Sequence, residues 1–140
     1  MAQEIITELR GDFAALIEAG LVAVNQLDED SAIKLFSAAQ VLEPESTAPR
    51  VGFGFIALNK LEIEKAIGLF QVVVNHEPEH HLARAFLGIS LSFDPKTRPQ
   101  GEKLIQEAKS KTDDASVKNL CSLSLEWIEK DLKKKSAGIF

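Results

Sequence analysis

The sequence predicts an all-α chain built from three helix pairs, and three observations carry that prediction. Residue types recur at a fixed step of 34: Gly20 and Gly54, Ala32 and Ala66, Phe36 and Phe70, Pro44 and Pro78, with Gly88 one step beyond Gly54. A period of this length marks an array of small helical units. Prolines stand where helices must stop, and the segments before them are apolar on nearly every side, as in Phe13-Ala14-Ala15-Leu16-Ile17 and in Val51 to Leu58.

Taken in order, Ala2 to Arg10 is a short helix candidate with Ile5, Ile6 and Leu9 on one side, broken at Gly11. Phe13 to Asn25 is the first helix of repeat one. Leu27-Asp28-Glu29-Asp30-Ser31 supplies a turn and capping oxygens for a second helix, Asp30 to Leu42, which Pro44 closes. Repeat two copies the plan with Pro49 to Asn59, a turn at Lys60-Leu61, and Glu62 to Asn75, stopped by Pro78.

Repeat three opens with a helix from Leu82 to Leu91 or Phe93. The proline-rich stretch Asp94 to Pro99 breaks the pattern, and the following helix, about Gln100 to Ser110, fits only with one inserted residue. Gly101, Ile105 and Ala108 then take the places of Ala66, Phe70 and Val73. Asp113 or Asp114 caps a last helix to about Lys134, with Val117, Leu120, Leu123, Trp127 and Ile128 as its apolar stripe. The organisation expected is thus an N-terminal helix segment at 1–11, an array at 12–112 with repeats at about 13–46, 47–80 and 81–112, and a capping helix and tail at 113–140.

Composition bounds the function. With 45% hydrophobic and 26% charged residues in 140, the chain has the makings of one ordinary globular domain. A net charge of −5 argues against a sequence-independent grip on nucleic acid. The basic run Lys133-Lys134-Lys135 suits a helix C-terminus better than a phosphate backbone. No stretch reads as a membrane span, the N-terminus lacks the layout of a signal peptide, and the single cysteine, Cys121, has no partner for an internal disulfide. The expected compartment is the cytoplasm, without membrane insertion.

Matched glycines inside helices imply a steric demand, since each costs roughly 1 kcal/mol relative to alanine. Gly20, Gly54 and Gly88 on first helices let Ala32 and Ala66 on second helices approach, and Phe36 and Phe70 fill the space toward the next repeat. In these Gly, Ala, Phe and Pro positions the chain resembles a tetratricopeptide-repeat protein from residue 13 to about 111. The family's large aromatic near the start of the first helix is replaced here by Leu16, Arg50 and Arg84.

The resemblance implies a three-repeat α-solenoid whose concave groove binds a polypeptide. The groove positions it assigns are Ile17, Leu21 and Val24 in repeat one, Val51, Phe55 and Leu58 in repeat two, and Leu82, Phe86 and Ile89 in repeat three. Ala14, Ala48 and Ala85 accompany them. Only Asn25 and Asn59 are polar at the edge, which argues against the Lys/Arg/Asn clamp that some members place on a C-terminal carboxylate.

A small acidic three-repeat chain with an apolar groove is similar to the chaperones of bacterial type III secretion. That similarity implies a non-enzymatic role in holding a client, such as a needle or translocator subunit, by an amphipathic helix or apolar segment. It admits a small co-chaperone or a homodimer. The alternative is a self-associating scaffold whose groove is filled by its own N-terminal helix or by a second copy.

Other chemistry finds little footing. His76, His80 and His81 at the repeat boundary are suitable metal ligands, but their spacing matches no established pattern and a solvated turn explains them. Cys121 reads as a small apolar residue. Gly52-Phe53-Gly54 lies mid-helix and lacks the strand a phosphate loop requires. Asp28, Glu29 and Asp30, and Asp113-Asp114, read as helix caps. No cofactor, metal or catalytic constellation is expected.

Overall fold

The computed structural model describes the backbone of residues 2–136 and the side chains of residues 11–134. Among the described residues every regular element is helical. The chain divides into two compact units, Met1–Leu61 and Glu62–Phe140. The first holds α1 (Ala2–Asn25), α2 (Glu29–Leu42) and α3 (Ala48–Asn59). The second holds α4 (Ile63–His76), α5 (His81–Ser92), α6 (Arg98–Lys111), α7 (Ala115–Trp127), a π-helical turn at Ile128–Leu132, and a last helical turn, α8 (Lys133–Ser136).

Local chemistry sets most of these boundaries. Asp28 accepts a hydrogen bond from the Ser31 N–H at 3.2 Å, capping α2. That bond, to the side chain and backbone of Ser31, holds the Asp28 carboxyl below its ordinary range. Asp114, rather than Asp113, caps α7 through the N–H groups of Ser116 (2.8 Å) and Val117 (3.4 Å). The cap of α5 is His80, whose Nδ1 accepts from the Ala83 N–H at 3.2 Å. α2 and α4 end at Leu42 and His76, two residues before Pro44 and Pro78. Pro99 sits in the first turn of α6, where its missing N–H costs nothing.

One boundary differs from expectation. α1 runs unbroken through Gly11, where the sequence suggested a separate short helix. Glycine lowers helix propensity by only about 1 kcal/mol, and a 24-residue helix tolerates it. The side chains of Ile5, Ile6 and Leu9 lie outside the described residues.

The three second helices bury matching positions. On α2 these are Ala32, Phe36 and Ala39; on α4, Ala66, Phe70 and Val73; on α6, Gly101, Ile105 and Ala108. The step is 34 and then 35 residues, the single insertion the sequence required. In the first unit the buried Phe36 ring sits against both Gly20 of α1 and Gly52 of α3, and a Cβ on either glycine would overlap it. Phe53 meets the same ring edge-on, with centroids 5.7 Å apart. Gly52, to which the repeat pattern assigned no role, is thus as demanding as Gly20.

In the second unit the constraint is backbone on backbone. A Cβ on Gly88 would meet the Gly101 carbonyl and Ile105, and one on Gly101 would meet the Gly88 carbonyl and Ser92. Polar groups buried here are satisfied locally: Ser92 Oγ donates to Gly88 O (2.7 Å), Ser90 Oγ to Phe86 O (2.8 Å), Thr97 Oγ1 to Leu91 O (2.6 Å), and Arg98 Nε to Ser92 O (2.8 Å). The last two tie the end of α5 to the start of α6.

α7 packs on α5 and α6, with Val117 and Ile128 of the expected stripe buried, Leu120 and Trp127 half-buried, and Leu123 the exception. Val117, Cys121, Ser124 and Ile128 are buried, Trp127 stacks edge-on against Phe93 with centroids 5.2 Å apart, and Leu123 is exposed. The i, i+4, i+7, i+11 spacing takes in the small Cys121 and Ser124 and leaves Leu123, expected in the stripe, outside.

Two glycine substitutions test this packing in opposite directions. A Cβ at Gly68, within α4, meets nothing within 4 Å, so Gly68→Ala should raise stability by about 0.5–1 kcal/mol through helix propensity alone. Gly101→Ala should lower it by about 1–3 kcal/mol, because two backbones must separate. Chemical denaturation of both variants checks the pair.

Candidate protein-binding surfaces

The nine positions assigned to a groove fall into two groups by burial. Val24, Val51 and Ile89 are buried and offer a partner little surface. Ile17 and Leu21 of α1, Phe55 and Leu58 of α3, and Leu82 and Phe86 of α5 are half-buried. The reason lies in the first unit's core, a cluster of Ala23, Val24, Ala32, Phe36 and Ile56. Ile17, Leu21 and Phe55 pack against its margin. Phe86 stacks on Phe70 of its own unit, with centroids 5.7 Å apart and planes 23° from parallel. These side chains are therefore part core and part surface; Leu58 and Leu82 are likewise half-buried.

The histidines separate as well. His76 Nδ1 lies 3.0 Å from the Val72 carbonyl, His80 caps α5, and His81 Nε2 lies 3.6 Å from a Glu79 carboxylate oxygen while its Nδ1 is buried without a partner. No three His, Cys, Asp or Glu side chains among the described residues are grouped to hold a metal ion. Cys121 is buried, and desolvation pushes its thiol up, out of the range of a reactive thiolate. No described helix is long and apolar enough to cross a membrane.

Two features escaped the sequence. The first is a recess of about 730 Å³ between α1 and α2, lined by Asp12, Ala15, Leu16, Ala19, Ala38, Val41 and Leu42. Val41 is 79% exposed there, and Val22 is 53% exposed on α1. Helical register, about 100° per residue, puts the recess residues of α1 on the opposite side from Ile17 and Leu21. The signal was present in the apolar pair Val41-Leu42 at the solvent end of α2.

The second is a pair of strained leucines. Leu27 and Leu61, 34 residues apart, both hold left-handed backbones (φ 59° and 58°), and are 81% and 68% exposed. At Leu27 the Asp28 N–H bonds to Ala23 O and the Leu27 N–H to Val24 O. That pattern is a Schellman helix end, whose left-handed residue is usually glycine. A polar recess on the second unit is lined by Arg98, Lys103 and Lys133 with Glu102 as its carboxylate; Lys133 reaches Glu102 at 3.1 Å, and Arg98 Nε donates to Ser92 O.

No protein-family model matches the chain, and no curated protein or solved structure matches it either.

The left-handed leucines give a second test. An L-residue in that region costs about 1–2 kcal/mol, and such exposed side chains recover little of it. Leu27→Gly and Leu61→Gly should each raise the melting temperature, by the equivalent of about 0.5–1 kcal/mol after the entropy cost of glycine. A lowered melting temperature would show that the leucine side chain is packed.

Proposed function

We propose that this chain is a tetratricopeptide-type binding protein, a cytoplasmic chaperone or adaptor. It holds an amphipathic helix or apolar segment of a client in a concave groove, with a needle or translocator subunit of type III secretion as the client class. What supports this reading is the half-exposed apolar set on the first helices, Leu58 and Phe55 on α3 and Leu82 and Phe86 on α5. Full burial of such a side chain contributes roughly 1.5–3 kcal/mol, and the part of each left uncovered is apolar surface that a partner can cover. The matching buried triplets on α2, α4 and α6 support the repeat reading on which the groove depends.

The role asks nothing catalytic of the chain. An export subunit that polymerises through an amphipathic helix stays soluble while that helix is covered, and release needs an affinity that is moderate rather than extreme. Neutral apolar positions suit a client read by shape and hydrophobicity more than by charge.

The test is Leu58→Glu alongside Leu82→Glu, chosen because both leucines are half-buried on first helices. Tagged chain is co-expressed with a small self-polymerising export subunit, and the complex is sized by gel filtration. The parent should hold the subunit in a soluble one-to-one complex. Either variant should keep the parent's helicity and melting temperature while binding falls at least about tenfold, as a buried unpaired carboxylate demands. Undiminished binding by both variants would reject the groove.

A further inference from the structure

The α1–α2 recess has a chemistry of its own. Its floor is apolar, with Leu16, Val41 and Leu42 beside the small Ala15, Ala19 and Ala38, and Asp12 stands at one end. Asp12 is the charged residue of its lining, and the unit that carries it is acidic. Residues 1–61 carry nine acidic and four basic side chains, whereas residues 62–140 carry twelve of each. The whole net charge of −5 therefore belongs to the first unit. Among the described side chains of α1 and α2, Lys34 is the basic residue against Asp12, Glu18, Glu29 and Asp30, of which Glu29 is paired with Lys60 at 2.9 Å.

We propose that this recess docks a cationic amphipathic helix of a partner protein: an apolar stripe seated on Leu16, Val41 and Leu42, with lysine or arginine flanks facing the acidic hairpin. Charge complementarity selects this occupant over a second copy. Two copies pairing through the face would bring two acidic hairpins together, and like charges at an interface oppose association. The alanines let a helix backbone come close, and exposed Val41 offers the apolar anchor. Because the recess lies on the side of α1 away from Ile17 and Leu21, it can be filled independently of the groove.

The experiment uses the full chain and two labelled 18-residue helical peptides. Both carry the same leucine stripe; one is flanked by lysines and the other by glutamates. Fluorescence anisotropy should give binding of the lysine peptide at least about tenfold tighter than that of the glutamate peptide, weakening as salt is raised. Val41→Lys and Ala15→Lys alter exposed side chains, so folding should be kept, and each should weaken the lysine peptide about tenfold or more. Leu58→Glu should leave that affinity unchanged, which separates this surface from the groove. Equal binding of both peptides, or an affinity indifferent to Val41→Lys, would overturn the proposal. So would sedimentation showing a dimer of the parent chain that Val41→Lys dissolves, since a second copy would then own the face.

Discussion

Everything in this molecule depends on how closely helix backbones can approach. In the first unit the Phe36 ring occupies the space that side chains at Gly20 and Gly52 would take, so one aromatic residue locks α2 against both α1 and α3. In the second, Gly88 and Gly101 remove the side chains altogether and α5 meets α6 carbonyl to carbon. The two solutions differ in tolerance. A ring can tilt by a few tenths of an ångström, whereas a carbonyl cannot leave its own helix without breaking the ladder. The α5–α6 contact is correspondingly the one reinforced by buried hydroxyls and by Arg98.

This constraint explains why so much was legible in the sequence. Glycine inside a helix is unfavourable unless space forbids a side chain, so Gly20 and Gly88 announced their contacts directly. So did the recurrence of Ala32, Phe36 and Ala39 as Ala66, Phe70 and Val73, and then as Gly101, Ile105 and Ala108. Prolines and capping aspartates placed most helix ends within a residue or two. What could not be read was orientation at the margins. Val24, Val51 and Ile89 share a helical face with Leu21, Leu58 and Phe86, and only neighbouring helices decide which of them is covered. Leu123 and Cys121 likewise lie two positions apart on one helix; the packing of α7 chose the smaller one. Nor does a sequence pattern report φ, so the left-handed Leu27 and Leu61 looked like ordinary turn leucines.

The surfaces divide by chemistry more sharply than by position. Unit one carries exposed apolar side chains in an acidic setting, at the α1–α2 recess and at the two helix-end leucines. Unit two is electrically balanced, with its ion pairs mutually satisfied: Arg84 with Glu107, Lys133 with Glu102 and Glu129, Lys130 with Glu126. Exposed pairs such as Lys130 with Glu126 contribute little to stability. The two units thus differ in net charge, −5 on the first and zero on the second.

The helix-end leucines sharpen that contrast. A Schellman end takes glycine at no steric cost, and Leu27 and Leu61 instead hold a strained backbone and an apolar side chain in water. Both penalties fall on the same two residues, 34 apart, at equivalent turns of one repeat pattern. Leu27 also lines the small recess formed with Val24, Ile56, Asn59 and Lys60, so part of its side chain shelters a core margin that glycine would leave open. The same residue is thus pulled two ways, toward glycine by its backbone and toward leucine by its neighbours. The backbone term is the larger because the shelter is partial: at 81% exposure the contact offsets only a fraction of the left-handed penalty of about 1–2 kcal/mol. Leu61, at 68% exposure, holds the same left-handed backbone and carries the same penalty with most of its side chain in water.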